Sequence, residues 1–199
     1  MKRLALLLLL LPLFGLQWAV PVAQILRGET MLREGTALRL ALQPVDPYDA
    51  MRGRYLALSF TESTREHSLP DGMRPGDTLY AVLGADPDGL AHITRLSREP
   101  QDSAFAWKIP TDTPPGAKVR IDIPLTRFYL PEDDAVLIDE NLRWRGDGER
   151  PQIAASLGVR VKNGAIVAES LWLDGRPYRE WLLEHTDSTA QKKQATKEK

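Results

Sequence analysis

The chain begins with one long apolar run and then changes to short alternating segments. Residues Leu4–Val22 are apolar except where Pro12, Gly15, Gln17 and Pro21 interrupt them. Because an α-helix rises about 1.5 Å per residue, a helix over this run would span roughly 28 Å, close to the thickness of the hydrocarbon core of a bilayer. The pattern therefore predicts an N-terminal transmembrane helix.

The charges beside this run predict its orientation. Lys2 and Arg3 precede it, which favours a cytoplasmic N-terminus and an extracytoplasmic remainder. The alternative is a cleaved signal peptide, with Leu4–Leu13 as its apolar region and cleavage after Ala19 or Ala23. Neither site has the small residue that cleavage prefers at position −3, so an uncleaved anchor is favoured.

The segment after the apolar run predicts a short helical stalk. Within Gln24–Gly35, the side chains of Ile25, Leu26 and Leu32 can share a helical face, and Gly35 supplies a stop. The stalk is either a simple spacer or a surface that packs against a neighbouring membrane protein.

From Thr36 onward the pattern alternates with the two-residue period of strands. The apolar positions of these segments are Leu38, Leu40 and Leu42, the runs Tyr55–Phe60, Thr78–Leu83 and Leu90–Leu96, and the alternating Val119, Ile121 and Ile123. Gly and Pro separate the segments. The sequence therefore predicts a mainly β fold, an antiparallel β-barrel or sandwich.

The clearest hairpin covers Leu157–Trp172. Its Asn163-Gly164 dipeptide accepts the positive φ angles of a type I′ turn. Asp174-Gly175 predicts another turn. One short helix is predicted over Glu132–Trp144, since Pro131 precedes it and acidic residues occupy its first turn.

These patterns divide the chain into three parts. Residues 1–35 form the anchor, or signal peptide, and the stalk, and residues 36–185 form a β-rich extracytoplasmic domain. Residues 186–199 have lost their apolar residues apart from two alanines, which predicts a disordered polar tail.

Composition excludes several classes of function. The net charge is −1, from 26 basic and 27 acidic side chains, so no nucleic acid partner is predicted. The chain has no cysteine, which excludes disulfides, zinc–cysteine sites, iron–sulfur clusters and thiol nucleophiles.

The histidine and acidic residues do not have the spacing of a known metal or catalytic site. His67, His92 and His185 lack metal-binding spacing, so no metal or cofactor is predicted. The acidic pairs Asp133-Asp134 and Asp139-Glu140 are neighbours on one predicted helix and point in different directions. They are better interpreted as a helix start and a solvated face than as a catalytic pair.

Aromatic residues allow a further interpretation. They are core fillers first, but the same side chains could line a groove for a sugar, a peptide or a lipid headgroup. The set comprises Trp107, Trp144, Trp172, Trp181, Tyr129 and Tyr178.

The segment Pro44–Phe60 joins an acidic turn to a strand through an Arg-Gly pair. Its part Gly53-Arg-Tyr-Leu-Ala-Leu-Ser-Phe60 resembles the signature of the GDYXXLXY protein family, and Gly53, Tyr55 and Leu58 fit it. Arg54 and Phe60 depart from it, and Arg54 argues against an essential carboxylate at that position. The preceding Pro44–Arg52 and the downstream Phe128–Glu132 also resemble family segments.

The resemblance implies a domain architecture and a cellular location, but no chemical reaction. Members are uncharacterised bacterial proteins with a membrane segment and an extracytoplasmic domain. It implies a single-pass protein of the inner membrane, with a cytoplasmic N-terminus and a periplasmic domain. A multi-pass integral membrane protein is the implied partner.

Two functional hypotheses follow. The first is a non-catalytic accessory or binding module for an integral membrane protein or envelope component. Its candidate interaction loop and signature motif comprise Asp46, Pro47, Tyr48, Asp49, Arg52, Gly53, Tyr55, Leu58 and Phe60, with Phe128, Pro131 and Glu132 as a second motif. The alternative is an envelope hydrolase or lyase, which requires Glu132, Asp46 and Asp49 to converge. A purely structural turn also explains the loop.

Overall fold

The computed structural model describes residues 2–43, 55–114, 116–135, 138 and 153–184, with side chains from residue 17 onward. A helix, α1, covers Lys2–Glu34, and a 3-10 helix covers Thr61–Thr64. The strands within the described residues are β1 (Thr36–Ala41), β2 (Tyr55–Ala57), β3 (Glu66–Ser68), β4 (Thr78–Ala85), β5 (Ala91–Ser97), β6 (Ala104–Lys108), β7 (Lys118–Arg120), β8 (Arg127–Tyr129), β9 (Ala155–Lys162), β10 (Ala165–Leu173) and β11 (Arg176–Pro177). Residues 132–135 and 178–184 are helical.

The predicted stalk is the C-terminal part of α1, which ends at Glu34, directly before the predicted stop at Gly35. A Cβ atom at position 35 would lie 2.5 Å from the Met31 carbonyl oxygen and 3.1 Å from Cβ of Arg160 on β9. Glycine is therefore needed here for close approach to the sheet. Over the stretches with described side chains, no helix combines the length and apolarity that crossing a membrane requires.

The predicted mainly β, antiparallel fold is confirmed. The described strands form a four-stranded sheet in the order β1-β9-β10-β11, a three-stranded sheet in the order β5-β4-β6, and the pairs β2-β8 and β3-β7. We call the first the large sheet. Isolated bridges join Leu42 to Phe60 and Phe105 to Gly164, so the sheets are connected. They do not close into one barrel within the described residues.

The predicted β9–β10 hairpin is confirmed, including its turn. Asn163 has φ 49° and Gly164 has φ 86°, the two positive angles of a type I′ turn. The tip is also held by β6, because the Gly164 N–H donates to the Ala104 carbonyl at 2.9 Å and the Ala106 N–H donates to the Gly164 carbonyl at 2.7 Å. The hairpin therefore links the large sheet to the three-stranded sheet.

Two apolar clusters fill the interior. The main core lies where the large sheet meets the three-stranded sheet, with Leu40 and Val159 from one and Phe105 from the other fully buried. A second core packs Trp181 of the 178–184 helix against the inner side chains of β10, such as Leu171. Because alternate residues of β1, β9 and β10 enter these cores, the residues between them face the other side of the large sheet.

Some predicted boundaries were wrong. The predicted strand through Val119 and Ile123 is limited to β7, and Pro124, which has no N–H to donate to a ladder, follows the segment. The short strands β3 and β8 were not predicted. In the predicted Glu132–Trp144 helix, positions 132–135 and 138 are helical, and the remainder lies outside the described residues, as do 44–54 and the tail 186–199.

Candidate functional site

The two segments that carry the family resemblance are neighbouring strands. β2 pairs with β8 in antiparallel register, with Tyr55 opposite Tyr129 and Leu56 opposite Phe128. The Leu58 N–H extends the pairing by donating to the Thr126 carbonyl at 3.0 Å. The described parts of the signature motif and of the second motif thus form one structural unit.

The apolar residues of this unit have packing roles. Phe60 is buried in the main core and forms a bridge with Leu42, the residue that follows β1. Leu58 and Phe128 pack against both cores. Pro131 precedes the 132–135 helix, and its carbonyl accepts the Ala135 N–H at 2.9 Å. These motif positions therefore fix the junction between the two cores.

Of the charged residues predicted to form the interaction loop and the second motif, the structure describes only Glu132. Asp46, Pro47, Tyr48, Asp49, Arg52 and Gly53 all lie outside the described residues. Glu132 is described and exposed, at the start of its helix. The expected convergence of Asp46 and Asp49 with Glu132 therefore stays a prediction.

An aromatic patch lies on the β2–β8 pair. The rings of Tyr55 and Tyr129 meet edge to face, with centroids 6.0 Å apart. The Arg127 guanidinium lies 4.7 Å from the centre of the Tyr55 ring. Tyr129 is 69% exposed. We call Tyr55, Tyr129 and Arg127 the tyrosine patch.

A groove of about 480 Å³ lies on the large sheet beside the turn between β4 and β5. Its polar and aromatic lining comprises Arg39, Gly158, Arg160, Glu169, Ser170 and Trp172. We call it the Arg39 groove. The volume is within the range of roughly 300–1,000 Å³ that is usual for small-molecule sites.

Strand register brings the groove residues together. Arg39 on β1 lies opposite Gly158 on β9, and Gly158 lies opposite Ser170 on β10. A β-bulge falls between Ala168 and Ser170, so Glu169 is the extra residue of β10. A Cβ atom on Gly158 would overlap Ser170 Oγ, so glycine is required to admit this hydroxyl over the middle strand.

One pair of charges in the groove is already neutralised. Arg160 Nε and Nη2 donate to the two carboxylate oxygens of Glu169, each at 2.9 Å. This hydrogen bond raises the pKa of the Arg160 guanidinium. Arg160 Nη1 also donates to the Gly35 carbonyl at 3.2 Å, which ties the pair to the end of α1.

The second guanidinium has a different environment. Arg39 lies 5.0 Å from the centre of the Trp172 ring, and among the described residues no carboxylate forms an ion pair with it. The Trp172 Nε1–H donates to Ser170 Oγ at 2.8 Å. A cation, an indole face and a hydroxyl are thus held together on one surface.

Of the aromatic candidates, Trp172 alone lines the groove among those described. Trp181 and Tyr178 contribute to the second core, and Trp107 packs against the main core. Tyr129 belongs to the tyrosine patch, and Trp144 lies outside the described residues. Sequence analysis did not identify Arg39, Arg160, Glu169 and Ser170 as site residues. The available signal was that Arg39 and Arg160 alternate with apolar residues along their strands, which places them on the outer face of the sheet.

Two histidines contact carboxylates within the fold. His67 Nε2 lies 3.6 Å from Oε1 of the buried Glu62, which also accepts the Ile93 N–H at 3.0 Å. His92 Nδ1 lies 3.2 Å from Asp86. His185 lies outside the described residues, and the part of the chain that is described contains no group of three or more potential metal ligands.

The chain is thus a mainly β domain with a groove on the outer face of its large sheet. The model of the GDYXXLXY protein family matches residues 17–171, which include both motif strands and most of the groove. The chain belongs to this family. Neither a search of curated proteins nor one of solved structures found a match.

Proposed function

We propose that the protein is a membrane-tethered, non-catalytic accessory module that binds an integral membrane protein or envelope component. The observation that carries this proposal is a series of exposed apolar side chains on α1. Trp18 is 66% exposed, Val20 61%, Val22 47%, Ile25 64% and Leu26 61%. Exposed apolar surface of this kind marks contact with a membrane or another protein.

The proposed tether is the apolar run Leu4–Val22. Lys2 and Arg3 before it favour a cytoplasmic N-terminus, which would place the β domain in the periplasm of a bacterial inner-membrane protein. At the other end of α1, Glu34 forms an ion pair with Lys162 of β9. Together with the bond from Arg160 to Gly35, this contact fastens the helix end to the large sheet. The domain is then held at a defined angle to its tether.

The proposed docking surface is the loop Asp46–Gly53 with the tyrosine patch. In sequence, only Arg54 separates this segment from Tyr55, the first residue of β2. Tyr and Arg are enriched at protein interfaces, where an aromatic ring supplies large contact area at low entropy cost. The high exposure of Tyr129 supports a contact with a partner, which we propose to be a multi-pass membrane protein.

The experiment is purification of the full-length protein, tagged at its C-terminus, from mildly solubilised membranes. We expect a multi-pass protein to co-purify in near-equal amount. Replacement of the loop Asp46–Gly53, or Tyr129→Ala, should remove it. Leu183→Ala is a matched control, because Leu183 is 70% exposed and belongs to neither the Asp46–Gly53 segment nor the tyrosine patch.

Two results would contradict the proposal separately. Release of the protein from membranes by an alkaline wash would exclude the tether. Purification without any partner, or with a partner that survives both docking variants, would exclude the docking surface and return attention to the hydrolase or lyase alternative.

A further inference from the structure

We propose that the Arg39 groove binds a small anionic ligand, with a carboxylate or phosphate head held by Arg39 and Ser170 and an apolar body against Trp172. This site is distinct from the tyrosine patch. Its ligand binding depends neither on the tether nor on a protein partner, so it goes beyond the accessory role.

The charges of the groove leave one cation to be neutralised. Arg160 and Glu169 satisfy each other through two hydrogen bonds. Arg39 is half-buried and contacts the Trp172 ring, and among the described residues it has no carboxylate partner. A guanidinium carries five N–H donors in a planar fork that matches carboxylate and phosphate oxygens. An anion is therefore the ligand that completes this part of the groove.

The hydroxyl in the groove supplies a second donor. Ser170 Oγ accepts the Trp172 Nε1–H, so its own proton remains for an acceptor above the sheet. The carboxylate that lines the groove, Glu169, accepts a hydrogen bond from Arg160 on each of its oxygens. Because the groove presents donors from Arg39 and Ser170, a ligand with acceptor oxygens fits it better than a neutral or cationic one.

The apolar lining of the groove determines which non-ionic part of a ligand fits it. Ala37, Leu38 and Ala85 line the groove together with the indole of Trp172. These side chains favour an apolar or ring-shaped body, because they offer apolar and aromatic surface and the indole N–H is already donated to Ser170. The absence of a Cβ on Gly158 keeps the Ser170–Trp172 pair in place on the sheet.

The test uses the full chain in detergent micelles and follows the Trp172 indole N–H signal by NMR, assigned with Trp172→Phe. The probes are benzoate, phenyl phosphate and benzyl alcohol, which share a ring and differ in the head. We expect one or both anions to shift the signal in a saturable manner and benzyl alcohol to leave it unchanged. The anion that binds with the lower dissociation constant shows whether the groove prefers a carboxylate or a phosphate head.

Variants test the assigned donor. Arg39→Gln should weaken binding of the preferred anion by about tenfold or more, because a charged hydrogen bond is lost. Arg120→Gln removes the same charge from an exposed residue on β7 and should leave binding unchanged. If Arg39→Gln fails to fold, Ser170→Ala provides the second variant, with a smaller expected loss.

Three results would overturn the proposal. They are equal binding of benzyl alcohol and the anions, no saturable shift with either anion, and unchanged anion binding in folded Arg39→Gln. None of them bears on the tether or the docking surface, because no partner or bilayer is present in this experiment.

Discussion

Replacing Gly164 with alanine tests how tightly the β9–β10 hairpin is joined to β6. Gly164 has φ 86°, and a Cβ atom there would lie 2.8 Å from Tyr80 Cε1 and 3.6 Å from Ala106 Cβ. A left-handed backbone costs an alanine roughly 1–2 kcal/mol. Crowding a packed site adds about 1–3 kcal/mol. We therefore expect Gly164→Ala to lower the free energy of unfolding by about 2–5 kcal/mol.

A second glycine separates these two contributions. Gly76 has φ 88°, nearly the same angle, but a Cβ atom there would meet nothing within 4 Å. Gly76→Ala should therefore lose only the conformational part, about 1–2 kcal/mol. Both variants are compared with the parent by urea unfolding followed by tryptophan fluorescence. Equal losses in the two variants would refute the argument, since they would show that the Tyr80 ring moves aside without cost.

Two further predictions concern other contacts of the large sheet. Asp174→Ala should lower the free energy of unfolding by about 2–5 kcal/mol. About 1–3 kcal/mol comes from two lost hydrogen bonds, because Asp174 accepts the Ala154 N–H at 2.9 Å and the Trp181 Nε1–H at 3.2 Å, and roughly 1–2 kcal/mol comes from alanine at φ 48°. Asp174→Asn, which keeps an acceptor and tolerates φ 48°, should lose less in the same urea assay, and an equal loss would contradict this account. For Glu34, the hydrogen bond and charge of Lys162 lower the carboxyl pKa from 4.5. The contact should therefore stabilise the fold above about pH 4.5 and be lost as the pH falls through the lower folded-state value. The side-chain carboxyl ¹³C shift of Glu34 should titrate below 4.5, and Lys162→Met should return it towards 4.5; an unchanged midpoint would exclude the ion pair as the cause.

The β9–β10 hairpin shows which features local sequence is able to predict. Its turn depends on two adjacent residues, Asn163 and Gly164, whose preference for positive φ belongs to them in any context. Alternation along β9 agrees with its buried face, where Leu157, Val159 and Val161 are fully buried. Along β10 the bulge at Glu169 interrupts the alternation, so Ile166 and Ala168 before it and Leu171 and Leu173 after it face the cores. The end of α1 before Gly35 was equally local, although a Cβ atom at position 35 is excluded both by the Met31 carbonyl oxygen of the helix and by Arg160 on β9.

Strands β3 and β8 show where local sequence fails. Each has three residues, which is too short for a period to be recognised. His67 of β3 lies opposite Val119 of β7, so the ladder depends on a partner far along the chain. The pairing of Tyr55 with Tyr129 is of the same kind, and it explains why two separate motifs were found without any indication that they touch.

The sequence by itself determined the mainly β class, the turn of the β9–β10 hairpin and the family, because these depend on periodicity and on short motifs. Only the tertiary structure decided that Arg39 and Trp172 meet. That contact depends on the β1–β9–β10 register and on the bulge at Glu169, which changes which side chains stand together on the outer face. A groove made from distant strands has no local pattern, since each of its residues taken alone is an ordinary polar position on an exposed sheet face.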